Sequence, residues 1–459
     1  MKKNMNRRQW IGSVGLCSLG GVVAGGMVPQ EVFASTVIAG GRTFETDILV
    51  CGGGPAGFAA AVNAARLGQK VLLLERYGRL GGMGIHARVF PLLGWAESPF
   101  LREVHKKIGG ARFDMERLDL QYADMMEQSG ASLLLHVWAT EPIMQGSKVV
   151  GVKAISKEGV LTIRARLVID ATGDGDMAAL AGAPVEMGRE EDGLVQPMSI
   201  MFTIRGAKEN AQTCGSEEEA RVRKAGEETW EDVVTRAQKN GELPSSVGVV
   251  RTYQMPRQGV MIVNATQINR LFGTKVEDLT KAELTCRRQA YQIVDFMKKY
   301  LPGYEDIYIT NMPAVIGVRE TRRIRGLDHL EREDLISGRK WDGAIVRGAS
   351  FVIDIHNPDG SGQAENQSNK EIQGTAARVK PYDIPYTCVV PQKIEGLLVA
   401  GRCISGSHEA HSSYRVQNIC LATGAGVGTV AAVSLQDNVS PAEVDIKKVQ
   451  KILFDKPNA

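Results

Sequence analysis

An apolar run at residues 47–51 leads into Gly52-Gly53-Gly54-Pro55-Ala56-Gly57. An alanine-rich stretch at 58–67, Gly68 and a second apolar run at 71–74 ending in Glu75 follow. No other feature of the chain limits its fold so strongly. Short apolar runs bounded by glycine read as strands and the alanine-rich stretch as a helix, giving a strand, turn, helix, strand unit. Gly52, Gly54 and Gly57 fit the G-x-G-x-x-G spacing. The first glycine permits the tight turn, and the second lets backbone approach a pyrophosphate. The third lets helix and strand pack closely, with the phosphates over the helix N-terminus. Pro55 and Ala56 belong to the same turn. Glu75 follows Gly57 by eighteen residues, where a carboxylate accepts from both hydroxyls of an adenosine ribose. The unit predicts a doubly wound α/β, Rossmann-like domain that binds a dinucleotide. By itself the motif does not separate FAD from NAD.

Of the 459 residues, 43% are hydrophobic and 23% charged, which excludes disordered, collagen-like and low-complexity classes. Fifty-one glycines against 17 prolines point to many tight turns and close backbone approaches, often to a cofactor. Residues 1–34 hold Lys2, Lys3, Arg7 and Arg8 but one acid, Glu31; without them the acidic and basic side chains balance. A balanced chain has no electrostatic footprint for nucleic acid or an anionic membrane surface. The N-terminus itself reads as an address: a basic start, an uncharged run at 11–28 with six glycines, and the cleavage pattern Val32-Phe33-Ala34. Its Arg7-Arg8 pair resembles the twin-arginine signal. The expectation is export by that route to the periplasm or another extracytoplasmic space, and a mature protein without stable membrane insertion. A retained anchor is the alternative. No other stretch reads as the ~18 uncharged apolar residues of a spanning helix. Cysteines at 17, 51, 214, 286, 388, 403 and 420 show neither Cys-x-x-Cys nor metal-ligand spacing, so buried free thiols and no metal are expected.

Along the chain, helices are expected at about 97–108, 115–128, 216–239, 281–300 and 417–433. Short β-like runs at 132–136, 142–145, 149–155 and 161–163 read as an antiparallel meander, and 167–170 as a further strand. Strand-like 198–204 and 249–253 flank the charged helical stretch at 216–239, and a strand end at Asp354-Ile355-His356 precedes a polar loop at 357–374. The pattern of the first unit returns with a strand at 397–400. This divides the chain into a dinucleotide domain from residues 40–186 and 381–459, and an inserted α+β substrate or cap domain at 187–380.

Further blocks make the reading specific. They are 47–84 with Glu75-Arg76 and Leu80-Gly81-Gly82-Met83; 168–176 with Asp170-Ala171-Thr172-Gly173-Asp174; Gly317 to Arg323; and 398–405 with Gly401-Arg402, continuing to Arg415 and 424–428. In these the sequence resembles the FAD-dependent oxidoreductases related to the flavoprotein subunits of fumarate reductase and succinate dehydrogenase, in particular often exported members of mostly unassigned substrate. The blocks span nearly all of the chain after the signal, in family order. The resemblance implies FAD as cofactor, with Asp170, Thr172, Gly173 and Asp174 on the pyrophosphate side. It also implies Gly81, Gly82 and Met83 beside the isoalloxazine and Gly401 and Arg402 at the flavin end. Gly424 and Gly426 would lie in a helix whose N-terminal dipole faces the pyrimidine ring. An NAD-only reading leaves the C-terminal block unexplained. The absence of a second G-x-G-x-x-G unit, of haem-binding cysteines and of clustered iron–sulfur cysteines points to an external electron donor or acceptor, or a second substrate.

For chemistry, Arg415 is the first candidate: the resemblance places an arginine here over the flavin, where a guanidinium binds a carboxylate or carbonyl oxygen. His408, in a cluster with Glu409 and His411, is the candidate for moving the proton that accompanies hydride transfer; His411 reads equally as a surface histidine. His86 follows the glycines beside the flavin. Some relatives attach FAD through a histidine nearby, so covalent linkage, a site-lining role and a purely structural role stay open for it. Arg319, Arg322 and Arg323 with Glu320 read either as a solvated charged strand or as part of the pocket, and Asp354 and His356 are divided in the same way. The expected function is hydride transfer between a small-molecule substrate and FAD. A flavin-binding electron carrier or sensor with little turnover is the alternative.

Overall fold

The computed structural model describes residues 41–110, 113–362 and 379–455. The signal at 1–34 and most of the loop at 357–374 lie outside the described residues. Strand β1 (Thr43–Cys51) is followed by helix α1 (Pro55–Arg66) and strand β2 (Val71–Glu75). Ile48 to Cys51 and every residue of β2 are buried, as in parallel strands covered on both faces. The remaining strands of this sheet are β3 (Ser132–Leu135), β4 (Trp138–Gln145), β5 (Lys148–Ser156) and β6 (Gly159–Asp170), in the order β3-β2-β1-β6-β5-β4. β1 lies parallel to β2 and β6, while β4, β5 and β6 form antiparallel pairs. The strand Leu397–Val399 returns from far along the chain to pair, also parallel, with Val168–Asp170 of β6. This is the doubly wound α/β arrangement expected from the first motif.

Two strand expectations change. The run at 132–136 is not part of the meander: β3 pairs parallel with β2, Leu72 opposite Ser132 and Glu75 opposite Leu135. The helix Leu118–Ser129 precedes it, and a helical crossover delivers the next strand parallel. The runs at 161–163 and 167–170 are one strand, because β1 extends back to Thr43 and pairs without a break from Thr162 to Asp170 apart from Arg166.

A second sheet of four antiparallel strands contains β7 (Met201–Arg205), β8 (Arg251–Gln254), β9 (Val260–Asn264) and β10 (Tyr308–Asn311), in the order β8-β9-β7-β10. Helix α2 (Val276–Tyr300) contributes Ala282, Cys286, Ala290, Ile293 and Met297 to the core of this half. Leu330, Leu335, Ile345 and Ile353 pack in the first core instead. The expected single helix at 216–239 is two, Glu217–Val222 and Trp230–Lys239, parted by the hairpin of Lys224–Ala225 and Glu228–Thr229. Gly226, at φ +77°, makes the turn, and Thr229 with Asp232 forms a capping box that starts the second helix. No strand forms at Asp354–His356.

Helix α3 (Gln417–Asp437) carries no charge before its last residue and is buried from Gln417 to Ser434. With a mean hydropathy of 1.5 over its apolar window, it is long and apolar enough to cross a membrane, which corrects the expectation that no segment after the signal is. Its window is 94% buried within the protein, because the helix lies against α1. A Cβ at Gly424 would sit 2.1 Å from the Ala56 carbonyl oxygen, and one at Gly428 2.2 Å from that of Ala60. All six cysteines of the described residues are free and buried.

Candidate functional site

The carboxyl ends of β1, β2 and β6 converge on a cavity of about 360 Å³, the place where a doubly wound sheet binds its ligand. Gly52, Gly54, Pro55 and Ala56 line one wall, with Glu75 and Arg76 at one end. Gly82 and Met83, then Thr172, Gly173 and Asp174, and finally Gly401, Arg402 and Arg415 also line it. Helix α1 begins at Gly54 with no side-chain cap and no acid in its first turn, so its leading N–H groups and dipole face the cavity unopposed. A Cβ on Gly54 would meet nothing nearer than 3.8 Å; the missing side chain keeps that space open over the helix end.

Other sequence candidates serve the cavity from behind it. A Cβ on Gly57 would lie 1.9 Å from the Gly52 carbonyl oxygen, so Gly57 permits the close turn without lining the cavity. Gly81, at φ +108°, donates its N–H to the Gly53 carbonyl at 2.8 Å and ties the two glycine turns together. Asp170 accepts from the Thr172 N–H at 3.1 Å, the Thr172 hydroxyl at 2.7 Å and the Ala178 N–H at 2.9 Å. It shapes the turn, and burial pushes its carboxyl up to about 6. Asp174 accepts from Arg402 Nη2 at 2.9 Å and from the Thr321 hydroxyl at 2.8 Å. Gly424 and Gly426 do not reach the cavity: the first packs on α1 and the second on Ile345. They are there for helix contact.

Glu75 is the best-formed polar group of the cavity. Oε2 accepts the Gly53 N–H at 2.7 Å and Oε1 the Tyr77 N–H at 2.8 Å, which leaves further lone pairs for a ligand diol. Burial pushes the carboxyl up, and the two N–H donors pull against it. At the other end Gln417 opens α3, again without a side-chain cap or first-turn acid. Its Nε2 donates to the Val89 carbonyl at 2.8 Å, and its buried Oε1 has no partner. Sequence reasoning missed Gln417; the only signal was its place at the start of an uncharged helix. Two uncapped helix ends, an orphaned acceptor and a diol-ready carboxylate fit a dinucleotide whose far ring system offers an N–H donor.

Of the three catalytic candidates, Arg415 alone reaches the cavity wall. Its Nη2 donates to the Asp354 carbonyl at 3.0 Å, to Asp354 Oδ2 at 3.2 Å and to Gln196 Oε1 at 3.3 Å, while Nε is buried without a partner. His408 is buried behind it, with Nδ1 2.9 Å from Glu320 Oε1. His86 is turned away from the cavity onto the Arg79 carbonyl at 2.9 Å, its ring against Tyr77, and burial lowers its pKa. His411 is no surface histidine: it is fully buried beside Tyr414, and burial holds it well below its usual pKa.

The arginine block is not a solvated strand. Arg323 and Glu320 form a buried ion pair, and Arg322 bonds Asp176 at 2.8 Å. Arg319 donates to the Pro197 carbonyl at 2.7 Å, and burial beside Arg415 draws its pKa down to about 9. His356 Nε2 lies 3.6 Å from Asp354 Oδ2, and burial, then Arg319, pulls its pKa to about 4. Gln196 joins the two groups: its N–H donates to Glu320 Oε2 at 2.9 Å and its Oε1 accepts from Arg415. Nothing in the local sequence marks it.

Parts of the chain are similar to known proteins. Over 149 residues the chain is 32% identical to digeranylgeranylglycerophospholipid reductase 1 of Methanopyrus kandleri, covering 28% of this chain and 40% of that one. Over 117 residues it is 30% identical to dihydrolipoyl dehydrogenase of Geobacillus stearothermophilus, covering 26% and 25%. The chain thus matches less than half the length of either enzyme. A geranylgeranyl bacteriochlorophyll reductase-like protein of Thermoplasma acidophilum, 14% identical, aligns over 89% of this chain and 83% of its own with a TM-score of 0.46. The profile of the FAD dependent oxidoreductases matches residues 47–453. The chain belongs to that family of flavoenzymes, and FAD is its cofactor.

Proposed function

We propose that the enzyme transfers a hydride between a C–H bond of a small, oxygen-bearing substrate and FAD, beside Arg415. The observation that carries this reading is a set of buried donors left over where the cavity meets the arginine cluster. Among the described residues Arg415 Nε and Gln196 Nε2 have no hydrogen-bond partner, and Arg319 has no ion pair. Buried donors are rarely left unpaired, and a substrate carboxylate or carbonyl oxygen satisfies them with charge-assisted hydrogen bonds. Bound FAD supplies the two-electron acceptor or donor. Arg415 binds and orients the oxygen, and Gln196 and Asp354 hold Arg415. Glu320 holds Nδ1 of His408 and, through the Gln196 N–H, is linked to Arg415, so His408 supports the arginine from behind the cavity. The segment 187–380 acts as a cap over the site, and electrons leave or enter through a second substrate or an external partner. The blocks around 168–176 and 398–415 support a place near the fumarate reductase and succinate dehydrogenase flavoproteins within the family.

Anaerobic mixing of the yellow protein with panels of carboxylates, sugars and other alcohols tests the reading: one class bleaches the visible flavin absorption. If none does, in either redox direction, and only redox proteins exchange electrons, the carrier alternative replaces it. Export by the twin-arginine route belongs to the same proposal. Arg7→Lys with Arg8→Lys then strands the precursor in the cytoplasm, as cell fractionation reads directly; unchanged translocation assigns the general secretion route.

A further inference from the structure

We propose that Trp138 is a stacking platform for the adenine ring of FAD, and that it gives the site its preference for FAD over FMN. Trp138 opens β4 and is 56% exposed, yet it lines the cavity together with Arg76, Tyr77, Val137 and Ala139. A single exposed aromatic is ordinary on a protein surface; one on the wall of a cofactor cavity has a use. The backbone fixes its place. The His136 N–H donates to the Tyr77 carbonyl at 3.2 Å and the Val137 N–H to the Glu75 carbonyl at 3.0 Å, which fastens 136–138 to the end of β2. Val137 and Ala139 then point into the core and Trp138 between them points out.

Glu75 is the carboxylate that takes the ribose diol, and a ribose carries its base one bond from the sugar ring. The base therefore comes to rest within reach of the fastened segment. Arg76 is there too, its guanidinium carbon 4.7 Å from the centre of the Tyr77 ring and 5.8 Å from that of Trp138. An indole face with a guanidinium beside it suits a flat heterocycle, because every base has a π-face. Gln417 and Cys420, at the start of α3, also line the cavity and would hold the isoalloxazine end, so FMN, which lacks the adenosine, would have nothing to place against Trp138.

The test uses the full-length flavoprotein, stripped of flavin and titrated separately with FAD and FMN, with flavin fluorescence as readout. Trp138→Ala lowers FAD affinity about tenfold or more, the loss of one base–aromatic stack, and leaves FMN affinity unchanged. Trp138→Phe keeps most of the FAD affinity. Unchanged FAD binding in Trp138→Ala overturns the proposal. So does an equal loss for both flavins, which assigns Trp138 to the fold of the cavity rather than to the base.

Discussion

Truncating Arg415 to alanine lowers turnover about 10²-fold or more, the usual loss for one charge-stabilising donor, while each chain still carries its FAD. The separation of the two effects follows from geometry. Arg415 lines the cavity just before α3 begins, and its hydrogen bonds among the described residues go to Asp354 and Gln196, not to the Gly52–Gly57 turn or Glu75, which carry cofactor binding. Its charge is held in a buried place: burial draws its pKa down, and Asp354 opposes that. Such a cation is expensive to keep unless something uses it, and Nε has no hydrogen-bond partner among the described residues. Steady-state kinetics on the substrate found by bleaching, with flavin content from absorbance, checks the expectation. Near-parent turnover in the variant removes Arg415 from the mechanism and moves the assignment to Arg319. His408→Ala also lowers turnover with FAD retained, since it removes the imidazole that Glu320 holds.

Replacing Gly424 by valine costs the protein its flavin and most of its soluble yield. The added Cβ would stand 2.1 Å from a main-chain carbonyl of α1, and a backbone oxygen inside a helix cannot swing aside as a side chain can. Overpacking usually costs about 1–3 kcal/mol; here two rigid helices must part, so the cost lies at or beyond the upper end. Native stability is only ~5–15 kcal/mol. Any shift of α1 also carries the Gly54–Gly57 turn away from the phosphates. Gly426→Ala is the graded comparison, because its Cβ would meet Ile345 Cβ at 2.8 Å and the Ile345 carbonyl oxygen at 3.0 Å, a smaller overlap than at Gly424. Flavin per chain and the thermal melting curve read both variants. A Gly424→Val protein that melts and binds FAD like the parent shows that the helices have slack.

The dinucleotide unit was legible because its signals are local: an apolar run, a glycine turn with fixed spacing, an alanine-rich helix and a carboxylate at the next strand end. What went astray depends on partners far along the chain. The direction of β3 is set by the helix before it and by β2, not by its own Leu133-Leu134-Leu135. Gly424 and Gly426 look alike whether a cofactor or another helix approaches, and α1, some 370 residues earlier, decides. His411 has no local mark of burial. The link from His408 through Glu320 and Gln196 to Arg415 joins residues from three separate stretches, and no spacing rule reaches across them. The hairpin that divides 216–239 was visible in Gly226, but the charged helical pattern on both sides outweighed it.

The order of synthesis gives the return of Leu397–Val399 to β6 a temporal meaning. The glycine turn, Glu75 and β6 leave the ribosome early, but the strand beside β6, Arg415 and the helix that braces α1 come late. Long-range pairings of this kind are slow to form and leave apolar edges uncovered meanwhile. The nascent chain therefore waits until residues 397–437 have emerged before it can close around FAD. Cofactor capture is a late event, and a chain that stops at residue 396 is a flavin-free one.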